Sequence, residues 1–298
     1  MALALAAMSC AGHGATTLLT FAAFGDMPYN EEEESRFPDF IAELNREESA
    51  FVVHVGDIKS AASACTDSLY LERRRWFKLS RSAFAYLPGD NDWLDCRRAL
   101  FDPRDPAERL QKLRALFFSN GDGMGQAPLG ATRQSEISPR HDFPEHFRWQ
   151  LHGVLFVTLN IPGPNNNSRD AAERVPRSQA VSAWLDDSFR LARERNLLGL
   201  VVFVHAAPWT ASGALRRAFG SFIAQLGHET RRLAKPVLLI HGDEHQYLVD
   251  KPLRDGASNA PVGNFTRVEV FGSPGMNWVR VRVIDDAGRI RWEVTPGS

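Results

Sequence analysis

Five short segments of this chain carry carboxylates and imidazoles that could bind divalent metal ions. Three are the pairs Gly25-Asp26, Gly56-Asp57 and Gly89-Asp90, and the other two contain His205 and Gly242-Asp243-Glu244-His245. Each follows an apolar run that is typical of a buried strand. Polar side chains just past the carboxyl ends of neighbouring strands converge at one edge of a sheet. Carboxylate and imidazole ligands gathered there predict a site for a hard or borderline divalent ion.

The apolar runs before these segments are the strands that must position them. They are Leu18 to Gly25, Phe51 to Val55, the shorter Ala83 to Leu87, Leu198 to Val204 and Val237 to Ile240. Helical patterns between and after these strands cover residues 31–48, 68–80, 177–195 and 213–233. The alternation of strands and helices indicates a mixed α/β architecture with two sheets.

The rest of the chain has three further patterns. Residues 147–150 and 154–160 predict a hairpin, and the apolar runs at 265–271, 279–284 and 290–294 predict an antiparallel meander. Gly, Pro, Asp and Ser recur through residues 121–145. Because a loop of this length is usually functional, it is a candidate for a cap over the substrate. We therefore expect one domain over residues 18–298, with a loop-rich insertion at about 97–146.

Composition excludes several classes of partner. The 298 residues have a formal net charge of -1 with mixed signs, so a nucleic-acid partner is not expected. No apolar run reaches the roughly 18–20 residues of a membrane span. A nucleophile elbow and a phosphate-binding loop are both absent from the sequence. The composition therefore predicts an ordinary globular protein with a full core, and its oligomeric state is left open.

The amino terminus and the cysteines bear on cellular location. Residues 1–17 are small and apolar like a signal peptide, although no Lys or Arg precedes them, so an apolar tail is the alternative. Cys65 and Cys96 both follow acidic motifs on the same presumed edge of the sheet. They could form a disulfide or remain two separate buried thiols. A signal peptide together with a disulfide would predict export to the periplasm or medium. The alternative is a cytoplasmic protein.

The order of the five segments resembles the signature of calcineurin-like metallophosphoesterases. That signature runs Asp, Gly-Asp, Gly-Asn-His, His and Gly-His-x-His, and the resemblance extends from about residue 18 to the carboxyl terminus. It implies a four-layer αββα sandwich with two mixed β-sheets. It also implies a binuclear centre in which two divalent ions hydrolyse a phosphomonoester or phosphodiester through a metal-bound hydroxide.

The resemblance assigns a role to each motif residue. Asp57 would bridge the two ions, Asp26 and His245 would complete the first ligand set, and the second set would contain Asp90, His205 and Asp243. Asn91 and Asp92 would be the catalytic pair in the third motif. Asn91, Lys59 and Arg97 would bind the substrate. His241, at the end of its strand, is an even choice between a hydrogen-bond donor to the ligands and a core residue.

This chain departs from the family pattern at several positions. Pro28 replaces the first histidine, Asp90 the metal-binding asparagine, Asn91 the catalytic histidine, and Asp243 a metal-binding histidine. Tyr29 follows the first aspartate rather than the second, so it is not assigned as a ligand. More carboxylates favour harder ions, such as Mn²⁺, Mg²⁺ or Ca²⁺, over Zn²⁺, with Fe also a candidate. The loss of an imidazole at Asn91 predicts a slow hydrolase or one with an easy leaving group.

Two other functions remain open at this stage. The altered motifs could belong to a catalytically impaired protein of the same fold that binds a ligand or has a structural role. The site could also hydrolyse an ester other than a phosphate ester. Asp90 and Asp243 favour a metal site over simple decay, because both substitutions keep a side chain that can bind a metal.

Overall fold

The computed structural model describes residues 14–99, 102–119, 123–138, 142–256 and 258–297. These residues form twelve strands and seven α-helices. The strands are Thr16–Phe24 (β1), Phe51–His54 (β2), Ala83–Tyr86 (β3), Thr132–Arg133 (β4), Phe147–Leu151 (β5), Val154–Thr158 (β6), Gly199–Phe203 (β7), Val237–His241 (β8), Leu248–Asp250 (β9), Phe265–Glu269 (β10), Val279–Asp286 (β11) and Arg289–Pro296 (β12). The helices are Glu31–Leu44 (α1), Asp67–Phe77 (α2), Pro106–Phe117 (α3), Gln134–Ile137 (α4), Gly163–Asn166 (α5), Ala171–Glu194 (α6) and Gly220–Leu233 (α7), with 3₁₀ turns at Leu94–Arg98 and Arg217–Phe219.

The strands form two mixed sheets. The first has the order β12-β11-β1-β2-β3, and the second has the order β4-β5-β6-β7-β8-β10-β9. Strands β1, β2 and β3 are parallel to one another, as are β6, β7, β8 and β10. The predicted hairpin is confirmed, because β5 and β6 pair in antiparallel register. The carboxyl ends of both parallel sets can therefore contribute loops to a single site.

Aromatic side chains join the two sheets face to face. Phe21 of β1 contacts Phe156 and Phe203 of the second sheet, at centroid distances of 5.6 and 6.1 Å. Residues of opposite parity face outward, as Phe24 shows by packing on Phe40 of α1 at 5.0 Å. On the other side, Trp184 of α6 and buried side chains of α7 cover the second sheet. The order helix, sheet, sheet, helix confirms the predicted four-layer sandwich.

The predicted meander at the carboxyl terminus is wrong for its first strand. Strand β10 lies in the second sheet, parallel to β8 and antiparallel to β9, whereas β11 and β12 form a hairpin in the first sheet. Val268 of β10 is fully buried between the sheets. An apolar strand of this kind can fill an interior position in either sheet, so its local pattern does not reveal which sheet it joins.

The predicted insertion contains regular structure, and its residues 124–126 pack away from the site. Helix α3 and strand β4 lie within it. The backbone N–H of Met124 donates to Phe84 O at 2.9 Å, and that of Gln126 donates to Ser80 O at 2.9 Å. These contacts place the segment beside the amino end of β3, where it satisfies an otherwise open strand edge. The carboxyl end of β3, where the site lies, is at the opposite end.

The amino-terminal segment is only partly described. Strand β1 begins at Thr16, so the domain starts slightly before the expected residue 18. The expected signal segment otherwise lies mostly outside the described residues. Within the described ranges, no helix has the length and apolar character needed to cross a membrane.

Candidate metal centre

The predicted ligands meet at one end of the sandwich. Asp26, Asp57 and Asp90 follow β1, β2 and β3 of the first sheet, and His205 and Asp243 follow β7 and β8 of the second. Their ligand atoms form two overlapping groups, Asp26–Asp57–His205 and Asp90–His205–Asp243, in which all atoms lie within 4.8 Å of one another. Residues distant in sequence are therefore brought together by the parallel strands of both sheets.

Among the described residues, two buried atoms of the second group have no hydrogen-bond partner apart from each other. They are Asp90 Oδ1 and His205 Nε2, which face each other at 3.0 Å. Asp243 Oδ1 is 3.8 Å from the same nitrogen. Orphaned buried polar atoms are costly unless something satisfies them. A divalent cation between these oxygen and nitrogen atoms would do so, and the donor set fits a hard or borderline ion.

A backbone contact orients the imidazole of His205. Its Nδ1 lies 3.0 Å from the carbonyl oxygen of Val55, which can only accept a hydrogen bond. Nδ1 therefore carries a proton, and Nε2 faces the carboxylates, where either a second proton or a metal ion would satisfy it. This is the usual arrangement of a histidine that binds a metal through one ring nitrogen.

The first group contains the residue expected to bridge two ions. Asp57 Oδ2 is 3.5 Å from His205 Nε2, and Asp57 Oδ1 accepts a hydrogen bond from Asn91 N at 2.9 Å. His245 lies outside the tight groups, although its Nε2 is 3.5 Å from Asp26 Oδ1. Its Nδ1 contacts Ser273 O at 2.8 Å, so Nε2 is the ring nitrogen that faces Asp26. Its position suits the peripheral ligand of the first set.

Four of the six expected ligands have a left-handed backbone. The φ angles are 54° for Asp26, 60° for Asp57, 82° for Asp243 and 61° for His245. Such conformations are uncommon outside glycine and persist only where the surrounding structure enforces them. Their concentration at one sheet edge is typical of a functional site.

Glycines allow the loops to approach the carboxylates. A Cβ added at Gly89 would lie 2.1 Å from Asp57 Oδ1, and one at Gly163 would lie 2.0 Å from Asp243 Oδ1. Neither distance leaves room for a side chain. Gly163 lies in none of the five motif segments, although the segment Gly163-Pro164-Asn165-Asn166-Asn167 also resembles a branch of the same family.

The cluster favours the presence of positive charge. Burial raises the pKa of Asp57 well above its usual range, and burial together with the charge of Asp90 raises the pKa of Asp243 to about 6. Burial disfavours the charged form of His205, but the nearby carboxylates, Asp57 foremost, outweigh this and raise its pKa well above the usual range. A divalent ion would supply that positive charge without a proton.

Asp92 organises the site but does not face it. Its Oδ2 accepts hydrogen bonds from Asp57 N at 2.9 Å, Gly89 N at 2.8 Å and Tyr86 OH at 2.7 Å, and its Oδ1 accepts one from Ile58 N at 2.7 Å. The side chain is fully buried. The expected catalytic role is therefore corrected: Asp92 fastens the second and third motif loops together.

Three other expected site residues have different outcomes. Lys59 is fully buried, and its ammonium donates to Ser60 O at 2.9 Å and Ser63 O at 3.1 Å, which corrects its expected contact with substrate. His241 is buried, its pKa is lowered to about 3 by burial, and Nδ1 contacts the adjacent Gly242 O, which favours the core alternative. Arg97 is exposed in a cleft beside Asp90.

Tyr29 is the site residue that sequence reasoning set aside. Its hydroxyl is 3.0 Å from Asp57 Oδ2 and 3.5 Å from Asp26 Oδ1, and it accepts a hydrogen bond from Asn91 Nδ2 at 3.2 Å. The ring also contacts His245, with centroids 5.2 Å apart. The feature of the sequence that could have identified it is its position three residues after Asp26, in the same loop.

A disulfide lies beside the centre. Cys65 and Cys96 are bonded, with their Cα atoms 5.6 Å apart, and Cys96 lies in the 3₁₀ turn that follows the third motif. The hydroxyl of Tyr70 donates to Asp92 O at 2.6 Å in the same region. The covalent link thus joins the loops that carry Asp57 and Asp90.

Comparison of the whole chain with known proteins identifies its fold. No protein-family model and no curated protein matches the chain. Among solved structures, a dimetal phosphatase from Danio rerio matches with a TM-score of 0.57 and 13% identity, over 95% of this chain and 100% of the other. The chain has the calcineurin-like phosphoesterase fold.

Two further structures share this fold. Purple acid phosphatase from yellow lupin matches with a TM-score of 0.53 and 10% identity, over 93% of this chain and 53% of that one. The structure titled PhoD matches with a TM-score of 0.52 and 10% identity, over 94% of this chain and 68% of that one. The calcineurin-like fold thus confirms the expected resemblance at the level of architecture.

Proposed function

We propose that this protein is a metal-dependent phosphoesterase. The observation that carries the proposal is the buried pair Asp90 Oδ1 and His205 Nε2, which face each other 3.0 Å apart among further carboxylates and have no other partner in the described chain. A proton on His205 balances only one of the carboxylates around it, whereas a divalent cation at this position would balance more of the buried negative charge. The solved structures of the same fold include a protein named as a dimetal phosphatase, which supports the same chemistry.

The residues of this chain would hold two divalent ions. Asp26, Asp57 and His245 suit one ion, whereas Asp57, Asp90, His205 and Asp243 suit the other. Ions held in this way clamp a phosphoryl group and lower the pKa of water. Because four of these ligands are carboxylates, we expect Mn²⁺, Mg²⁺ or Ca²⁺ to be preferred over Zn²⁺.

The groups around the ligands would position the substrate. The Asn91 amide donates to Tyr29 OH, which contacts Asp57 in turn, so the three side chains form one hydrogen-bonded chain at the site. Asn91 is 8% exposed, which leaves its amide at the boundary with solvent. We infer that Asn91 and Tyr29 contact the phosphoryl oxygens. No histidine stands at the position of Asn91 to protonate a leaving group, so esters with good leaving groups should react fastest.

An oxidising location suits the same protein. The Cys65–Cys96 disulfide is of a kind that persists outside the reducing cytosol. We therefore propose that the protein acts after export, in the periplasm or the medium.

Metal content and turnover test the proposed function together. Elemental analysis of the purified protein should find about two ions per chain, and Mn²⁺ should stimulate hydrolysis of an aryl phosphate or phosphodiester. Asp57→Asn should lose both properties. Asp39→Asn, on the exposed face of α1, is the matched control and should keep both. A folded protein without metal or turnover would reject the hydrolase and favour a ligand-binding protein of the same fold.

A further inference from the structure

A polar cleft opens directly beside the second ligand group. Its volume is about 230 Å³, and it is lined by the 3₁₀ turn Leu94–Arg98 on one side and by residues 163–169 on the other, with Asp90 at one boundary. Gly163, in the wall of the cleft, packs against Asp243, so the cleft and the metal ligands share a wall. A phosphoester bound at the centre would extend its leaving portion into this space.

The charges of the cleft favour an anion. Arg97, Arg98 and Arg169 line it, and Arg98 is paired with Asp95 at 3.3 Å. Arg97 and Arg169 are exposed and form no ion pair with any described residue. Asp90 belongs to the ligand groups, where its charge would be shared with a metal ion. Two unpaired guanidinium groups therefore remain available in the cleft.

The other lining residues are polar rather than apolar. Asn165, Asn167 and Ser168 contribute to the wall. Asn167 is 7% exposed, and its Oδ1 has no hydrogen-bond partner within the described part of the chain. Guanidinium groups recognise carboxylates and phosphates, and Asn167 Oδ1 can accept a hydrogen bond from a hydroxyl of the same ligand, whereas an aliphatic or aryl leaving group would leave these groups unsatisfied.

We propose that this cleft binds a second anionic group on the leaving portion of the substrate, with Arg97 and Arg169 as its ligands. The proposal rests on the proposed phosphoesterase function and narrows its substrate class to phosphoesters with a second carboxylate or phosphate. The cleft would thereby distinguish them from neutral and cationic phosphoesters.

Three phosphonates of similar size provide the test. They are 3-phosphonopropionate, propylphosphonate and 3-aminopropylphosphonate, whose far ends are anionic, neutral and cationic. Calorimetric binding to the Mn²⁺-loaded protein should follow that order, with about a five- to tenfold difference between the anionic and neutral compounds, as expected for exposed charge pairs. Equal affinities for all three, or no binding of any, would overturn the proposal.

Variants separate the cleft from direct chelation of the metal by the carboxylate. Arg97→Gln combined with Arg169→Gln should bring the ratio of anionic to neutral affinity close to one. Arg46→Gln, at an exposed position just past the carboxyl end of α1, is the matched control and should keep the ratio. An unchanged ratio in the double variant would overturn the role of the two arginines.

The two proposals can fail separately. If the protein prefers the anionic phosphonate but hydrolyses no phosphoester, the phosphoesterase function is rejected and anion binding by the cleft is retained. If the protein hydrolyses aryl phosphates but does not prefer the anionic phosphonate, the cleft proposal is rejected and the phosphoesterase function is retained.

Discussion

The hydroxyl of Tyr29 lies 3.0 Å from Oδ2 of Asp57, the carboxylate expected to bridge two ions. These residues come from the first and second motif loops, which follow adjacent parallel strands. The same hydroxyl accepts a hydrogen bond from Asn91 of the third loop. One phenol thus connects all three loops of the first sheet at the site.

Tyr29→Phe tests that connection. Removal of a hydrogen bond to a charged group should lower kcat by about 10- to 100-fold while the fold is kept. Metal content should stay near that of the unaltered protein if the hydroxyl only positions Asp57 and the phosphoryl group. Elemental analysis beside steady-state kinetics checks both points. An unchanged kcat would exclude Tyr29 from the working site.

Gly163→Ala tests the shared wall between the cleft and the second ligand group. The new methyl group would lie 2.0 Å from Asp243 Oδ1, so Asp243 must move and the bound metal should fall by about one ion per chain. Gly220→Ala is the control, because a Cβ there has no neighbour within 4 Å. Circular dichroism should show both variants folded. Full metal content in Gly163→Ala would contradict this packing.

Reduction of the disulfide should destabilise the protein. Cys65 and Cys96 are separated by 31 positions, and closing a loop of that size contributes about 3–4 kcal/mol to the free energy of unfolding. Urea unfolding with and without a reductant measures this difference. The variant with both cysteines replaced by serine should have the same urea midpoint as the reduced protein, and the reductant should not change it. If reduction left the urea midpoint unchanged, the bond would not stabilise the fold.

Glu269 should make stability depend on pH. Burial raises its pKa to about 7 from the usual 4.5, so the folded state holds its proton more tightly than the unfolded chain does. The free energy of unfolding therefore falls as pH rises from about 4.5 to 7 because of this residue, and the loss is complete above pH 7. In metal-free protein, Glu269→Gln should be more stable than the parent by about 1–3 kcal/mol at about pH 8.

The advantage of Glu269→Gln should disappear at about pH 4, where the parent carboxyl is protonated in both states. Urea unfolding at both pH values measures it. The amide oxygen of the substituted side chain can still accept the hydrogen bond that Glu269 accepts from Gln246 N, so the comparison isolates the charge. A constant difference between the variant and the parent across this range would show that the Glu269 carboxyl does not titrate with a raised pKa.

The local sequence determined the strands that carry the site and the membership of the candidate metal cluster. Apolar runs ending in Gly-Asp or His mark strand ends, and parallel strands bring their carboxyl ends together. For that reason the sequence alone groups Asp26, Asp57, Asp90, His205 and Asp243. The hairpin of β5 and β6 was equally predictable, because a two-residue turn between two strand-like runs is a local feature.

Only the tertiary structure decided which polar residues face the site. Lys59 and Asp92 lie within two residues of expected ligands, yet both point into loop backbone, where buried charge is satisfied by carbonyl or N–H groups. Tyr29 and Gly163 reach the centre through contacts with residues 28 and 80 positions away. The sheet to which β10 belongs was also a non-local choice. The direction in which a side chain points and the strand with which another strand pairs both depend on packing between distant segments. A local sequence pattern does not determine that packing.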